Sequence, residues 1–334
     1  MDDRVREADG WHPSGHGFVA DMKVVPLGAD SLGVRSMATY VEVAGRGILI
    51  DPGATLAPSR FGLPPADQEW EALRRVNDRI SAYAARAEMV FVSHYHEDHF
   101  RSDPASYAGR RVLVKDPKRM VQGLQARRAA ELWKALQGHA LVAVADDLFE
   151  RSMDLELEVS PPLPHGLEAT SLGYLVALTI AEPGERERFV FASDVQGPLS
   201  PVAAAYLVRQ RPTLLYLAGP PSYIERDVGA AVIDRGIDHL LRIVERTGCR
   251  AIMDHHALRD IAWRERFARL WDIGRVTTAA AYLGLPEATL EPRRAELWGR
   301  ARKPLAARGP AAAAPARSRV APPPRRKLAR GGPA

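Results

Sequence analysis

Residues 94–99 read His-Tyr-His-Glu-Asp-His, directly after the apolar stretch 88–93. Three imidazoles and two carboxylates in six positions suit a metal site. His94 and His96 lie two apart, so an extended backbone turns both to one side, where they can share a cation. Asp98 continues that register and His99 leaves it. Glu97 is expected to be a spacer whose side chain points away. Neutral imidazole with carboxylate suits zinc, iron, manganese or nickel. The single cysteine, Cys249, lies far from the cluster, which excludes a thiolate site.

Further candidates stand where strands are predicted to end. Strands are expected over 22–27, 38–44, 47–51, 88–93 and 111–116, then over 153–161, 173–181, 188–194, 213–219 and 250–256. Asp51 closes "ILID", His165 follows "SPPLP", Asp194 closes "FASD", and His255 and His256 follow "RAIMD". Loops that leave strand C-termini are where side chains from distant segments converge. Taken singly, Asp51 also reads as a turn residue of "DPG" and Asp194 as a helix N-cap. An amphipathic helix is expected over 66–87, a basic helix or pair of helices over 117–138, and helices over 198–211 and 228–248, with more helix through about residue 299. The 117–138 helix carries Lys118, Arg119, Arg127, Arg128 and Lys134. It reads as a solvated basic face, with a lid or a wall for an anionic substrate near the metals as the alternative. His12, His16, His139 and His239 stand apart and are expected on the surface. Two strand-rich halves with interleaved helices suggest two sheets packed face to face, helices outside.

"SHYHEDHF" resembles the H-x-H-x-D-H motif of the metallo-β-lactamase-fold hydrolases. The resemblance extends to "ILIDPG", His165, "FASDVQG" and "IMDHH", which fall in the family's motif order across residues 22–256. The wording of "SDVQGP" and "DHHALRD" resembles more narrowly an uncharacterised branch best known from archaea. The resemblance implies an α+β fold, a four-layer αββα sandwich with two mixed sheets. It implies two divalent metal ions, zinc first, with iron, manganese or nickel as alternatives. His94, His96 and His165 would hold one ion. Asp98, His99 and His255 would hold the other, with Asp194 bridging. Asp51 would orient a ligand by hydrogen bonds. Related phosphodiesterases carry one His followed four residues later by Arg, a spacing that joins His255 to Arg259 and leaves His256 as ligand support or proton donor. Asp98 would orient the attacking water, and Arg259 or His256 would bind an anionic substrate or assist the leaving group.

Composition sets the outer limits. The 334 residues are 46% hydrophobic and 26% charged, ordinary for a globular protein. No apolar run approaches the ~20 residues of a membrane helix. The polar start lacks a secretory pattern, and with one cysteine the expectation is a cytoplasmic protein. Residues 300–334 hold ten Arg or Lys and no acid; since the chain is +5, residues 1–299 net to −5. Three regions are expected: an extension over 1–20, the metallo-β-lactamase-fold domain over 21–299, and a disordered Pro/Ala/Arg-rich tail over 300–334. The expected function is hydrolysis of an ester, lactone or phosphodiester of a small anionic molecule. The alternatives are a nuclease holding nucleic acid through the tail, and a non-catalytic metal-binding adaptor.

Overall fold

The computed structural model describes residues 22–168 and 170–299. The expectations for 1–20 and 300–334 lie outside them. The first sheet opens with β1 (Lys23–Pro26), β2 (Thr39–Val43) and β3 (Arg46–Ile50), paired antiparallel. Ala44 and Gly45 join β2 to β3 with φ of 49° and 72°. Two successive left-handed residues are what the right-handed twist of a tight hairpin requires. Helix α1 (Asp67–Ala84) then crosses to β4 (Met89–Val92), which lies parallel to β3. Its Ala72, Val76, Ile80 and Ala84 recur at helical spacing and are buried. Next come β5 (Arg111–Val114), α2 (Gly123–Leu136) and β6 (Leu141–Val144), completing a mixed six-stranded sheet ordered β1-β2-β3-β4-β5-β6.

The second sheet repeats the plan. It is ordered β15-β14-β13-β12-β11-β8-β7, seven strands, from β7 (Phe149–Arg151), β8 (Glu156–Val159), β11 (Leu178–Ala181), β12 (Arg188–Ala192), β13 (Leu214–Ala218), β14 (Arg250–Asp254) and β15 (Val276–Thr277). Strands β7, β8, β11 and β12 pair antiparallel, and β12 to β15 pair parallel. The small pair β9 (Leu163–Pro164) and β10 (Tyr174–Leu175) stands beside it. Helices α3 (Pro201–Gln210), α4 (Glu225–Val228) and α5 (Ala230–Thr247) form the connections.

Three apolar clusters define the layers. Ile48, Ile50, Phe91 and Leu113 of the first sheet meet Leu157, Ile180, Phe191 and Ile252 of the second. The alternate residues Leu49, Val90 and Val112 pack on Val76 and Ile80 of α1 and Leu132 and Leu136 of α2. Val190, Leu215 and Ala251 do the same with Leu207 of α3 and Ile237, Leu240 and Val244 of α5. Because side chains alternate along a strand, each sheet serves two cores. The result is α+β, an αββα sandwich of two mixed sheets, as expected.

Several elements differ from expectation for local reasons. The helix expected over 117–138 begins at Gly123: the Asp116 carboxylate accepts from Lys118 N–H at 2.8 Å, and Met120 has φ 51°. Such a side-chain turn competes with helix formation. The strand expected over 173–181 is split, because Val176 N–H leaves the ladder to donate to the Ser93 carbonyl at 3.0 Å. The strand expected to 256 stops at Asp254, where His255 turns left-handed with φ 62°. The short strands β6, β7, β9 and β15 were not expected.

The end of the described chain returns to the start of the sandwich. Arg294 is fully buried and donates to both Glu69 oxygens at 2.8 Å and to the Leu63 carbonyl at 3.1 Å. Arg35 forks onto Glu291 at 2.6 and 2.7 Å. Ala288 N–H reaches the Ser31 carbonyl, and Trp298 Nε1 the Pro64 carbonyl.

Candidate metal centre

The parallel strands of both sheets aim their C-terminal ends at one place. Asp51 follows β3, the His94–His99 loop follows β4, Asp194 follows β12 and His255 follows β14. His165 follows β9. All five regions meet around Asp194, which is buried. Asp194 Oδ2 lies 2.9 Å from His165 Nε2, 3.3 Å from His99 Nε2 and 3.4 Å from His94 Nε2. His94, His96, His165 and Asp194 form one set of converging donors. Asp98, His99 and His255 form a second, with His255 Nε2 at 3.4 Å from Asp98 Oδ2 and 3.5 Å from Asp194 Oδ1.

The donor rings are held from behind. Asp51, left-handed at φ 44°, accepts from Ser93 N–H at 2.7 Å and Ser93 Oγ at 2.5 Å, and its Oδ2 sits 2.8 Å from His99 Nδ1. Ser93 Oγ also lies 2.9 Å from His94 Nδ1. One carboxylate thereby fixes two rings and turns both Nε2 atoms inward. His255 is fixed in the same way by Asp30, whose Oδ2 is 2.8 Å from its Nδ1. Gly53 is required by close approach: a Cβ there would stand 2.4 Å from Phe100 N and 2.5 Å from His99 N.

Electrostatics follow from burial and neighbours. Burial, with His99 beside it, pushes His94 down to about 3. Burial, with His165 beside it, does the same to His96. Both rings are therefore neutral donors at pH 7. Burial opposes ionisation of Asp194 and Asp98, yet the facing histidines hold both carboxyls well below the usual range. Burial also disfavours a charge on His99, but Asp194 and Asp98 raise it well above the ordinary imidazole value. Two buried polar atoms, His99 Nε2 and Asp194 Oδ1, have no hydrogen-bond partner among the described residues. Buried orphans of this kind call for an explanation. They are donor atoms in a set of imidazoles and carboxylates, so the residues present fit a divalent metal.

His256 and Arg259 border the same site. His256 Nε2 is 3.5 Å from Asp194 Oδ2, while its Nδ1 lies 3.3 Å from Tyr223 Oη, and the Tyr223 ring lies nearly parallel to its own. Burial, with Arg259 nearby, pushes His256 well below its ordinary value. Arg259 Nε donates to Asp30 at 3.1 Å. Its Nη2 is 3.2 and 3.0 Å from the two ring nitrogens of His255.

The donors open into a cavity of about 710 Å³. His96, Asp98, His165, Asp194, His256 and Arg259 line its floor. Leu56, Leu167, Leu172, Leu199, Ile224 and Val228 give one wall its apolar character. Of the five basic residues in 117–138, Arg128 alone among the described residues lines the cavity; it pairs with Glu97 at 2.6 Å. Glu97 points away from the donors but stands at the cavity rim. His139 is exposed; His239 is half-buried and donates Nδ1–H to the Pro198 carbonyl at 2.9 Å. Sequence reasoning missed Asp30, Ser93 and Tyr223: Asp30 meets His255 and Arg259 from the far end of the sequence, and Ser93 and Tyr223 are hydroxyl side chains that hold His94 and His256 rather than donors of the cluster.

No family model matches the chain. The chain is 37% identical over 290 residues to the UPF0282 protein of Pyrococcus furiosus, covering 83% of this chain and 92% of that protein. It is 36% identical to that of Methanocaldococcus jannaschii, with coverage of 83% and 96%, and 39% identical to that of Pyrobaculum islandicum, with coverage of 86% and 97%. The chain belongs to the UPF0282 family, the archaeal branch expected from its motif wording. Among solved structures it is similar to a metal-dependent hydrolase of the beta-lactamase superfamily, with a TM-score of 0.47, 13% identity and coverage of 77% and 96%. It is also similar to unliganded yeast PDE1, with a TM-score of 0.47, 10% identity and coverage of 78% and 98%.

Proposed function

We propose that the protein is a hydrolase holding two divalent metal ions, zinc first, that cleaves an ester, lactone or phosphodiester bond of a small anionic molecule. One observation carries this reading: imidazole and carboxylate donors from both sheets converge on buried Asp194, and two of those donor atoms, His99 Nε2 and Asp194 Oδ1, have no hydrogen-bond partner among the described residues. His94, His96 and His165 would hold one ion, Asp98, His99 and His255 the other, and Asp194 both. His255 is favoured over His256 because its Nε2 reaches Asp98 and Asp194 together, whereas His256 faces the cavity.

Bound ions would polarise a carbonyl or phosphoryl oxygen and acidify a water. Asp98, which lines the cavity, would accept a hydrogen bond from that water and orient it. His256 lines the cavity, where its ring would hydrogen-bond the substrate or its leaving group. Tyr223 holds the His256 ring at Nδ1. Arg259, fixed by Asp30, presents positive charge to an anionic substrate. The apolar wall packs the rest of the molecule and excludes water. The working unit is residues 21–299, in the cytoplasm, with 1–20 and 300–334 as appendages.

The test is a metal count on purified protein followed by generic ester and phosphodiester substrates. Asp98→Ala is expected to lower turnover by about 100-fold or more, with metal content measured on the same sample. Full turnover at full metal occupancy would sink the mechanism. Deleting 300–334 is expected to leave small-molecule turnover intact.

A further inference from the structure

The cavity above the donors is lopsided. Leu167 and Leu172 from the β9–β10 connection, Leu199 just before α3 and Ile224 just before α4 all line it. None of the four belongs to the three apolar cores. Leu167 and Ile224 are half-buried, and Leu172 is 45% exposed. Large aliphatic side chains that no core uses, gathered in one concavity, mark a ligand surface. The wall begins beside the donors: a Cβ at Gly166, next to His165, would stand 3.6 Å from Leu199 Cδ1.

The charged lining is matched. Arg35 pairs with Glu291 at 2.6 Å, Arg128 with Glu97 at 2.6 Å, and Arg259, on the floor, with Asp30 at 3.1 Å. Beyond the floor, no unmatched cation among the described lining residues faces a second phosphate or carboxylate. Stacking surface is scarce as well. Tyr223 is the one Phe, Tyr or Trp side chain among the described lining residues, and the Arg60 guanidinium already lies 5.1 Å from its ring centre. Nucleobases are commonly held on aromatic faces, and their phosphates by free cations. We propose that the scissile group of the substrate carries an aliphatic chain rather than a nucleoside, and that the chain lies on the wall formed by Leu167, Leu172, Leu199 and Ile224. This names a substrate class for the same site and rests on the hydrolase reading. The scissile bond sits over the donors, and the chain runs from beside His165 along the wall.

Calorimetric titration of the full chain, with its metal content counted, tests the wall without turnover. The probes share one head group: monoalkyl phosphates from methyl to hexyl, with adenosine 5′-monophosphate as comparator. Affinity is expected to rise about two- to fourfold per added methylene, and the nucleotide to bind more weakly than hexyl phosphate. A flat alkyl series overturns the proposal, as does a nucleotide that binds more tightly than hexyl phosphate. A Leu172→Ser/Ile224→Ser chain, altered outside the three cores, is expected to lose most of the chain-length dependence; a full dependence in that variant assigns the chain elsewhere and overturns the wall. The wild-type series stands by itself if the variant misfolds. Hydrolysis of 4-nitrophenyl esters from acetate to hexanoate separates the two readings. Turnover with kcat/KM independent of chain length overturns this inference and leaves the hydrolase standing. Chain-dependent binding with no turnover of any ester or phosphodiester supports the wall and overturns the hydrolase.

Discussion

Asp51 and Asp30 do similar work on different histidines. Each fixes the Nδ1 side of a histidine whose Nε2 faces the donors. Asp51 was legible because it closes a strand in "ILIDPG". Asp30 was not, because its partners His255 and Arg259 lie more than 220 positions away and nothing in "GADSLG" signals a charge partner. The glycine of "DPG" carries a sharper consequence. A Gly53→Ala chain must push its Cβ against the backbone of 98–100, which has no flexible end to give way. The expected outcome is a loss of ~1–3 kcal/mol together with weakened metal binding. Thermal melting and metal titration on the same sample check it; an unchanged metal affinity would show that the 98–100 loop tolerates the displacement.

At the scale of elements, the long strands and helices followed the apolar pattern and the short ones did not. Strands β3, β4 and β12 are buried on both faces and read as continuous apolar runs. Strands β7 and β9 are two or three residues long, too short for any periodicity. The start of α2 was misplaced because Asp116 offers the backbone another partner. Connection between elements also sets a pH response. Burial opposes ionisation of Glu291, but Arg35, with Arg259 and Arg60 nearby, holds its carboxyl below the usual range. A depressed carboxyl stabilises the fold above its unfolded pKa, and that contribution disappears as pH falls through the folded value. Glu291→Gln is therefore expected to cost ~1–3 kcal/mol at pH 7, and the gap from wild type should close in strong acid. Melting temperatures of both chains across that range check the sign; a gap that widens on acidification contradicts it.

Across the whole molecule, the two sheets contribute unequal parts of one centre. The first supplies His94, His96, Asp98 and His99; the second side supplies His165, Asp194 and His255. Their order in the chain was legible from motifs, whereas their meeting at Asp194 depends on the sheets packing face to face, which no local pattern fixes. A metal held from both sides ties the halves together, so chelation should loosen the entire sandwich. A ligand at ~1,000 times its Kd adds about 4 kcal/mol. Melting with chelator, then with zinc, manganese or iron restored, is expected to show a fall of several degrees and a recovery. A chelated protein that melts unchanged would argue against bound metal in the starting material.

The return of the chain end to Ser31, Leu63, Pro64 and Glu69 has a consequence for timing during synthesis. Both sheets are complete once β15 has left the ribosome, since chains fold progressively as they emerge. Arg35 and Glu69, however, wait for Glu291 and Arg294, which emerge later still. A nascent chain stopped at residue 285 would hold the donor residues but leave the Glu69 carboxylate buried without its cation. Such a fragment is expected to be cleaved by protease in the 55–66 loop, whereas one stopped at 300 should resist. The last residues of the described chain thus act as a latch that closes only when translation of the folded body is finished.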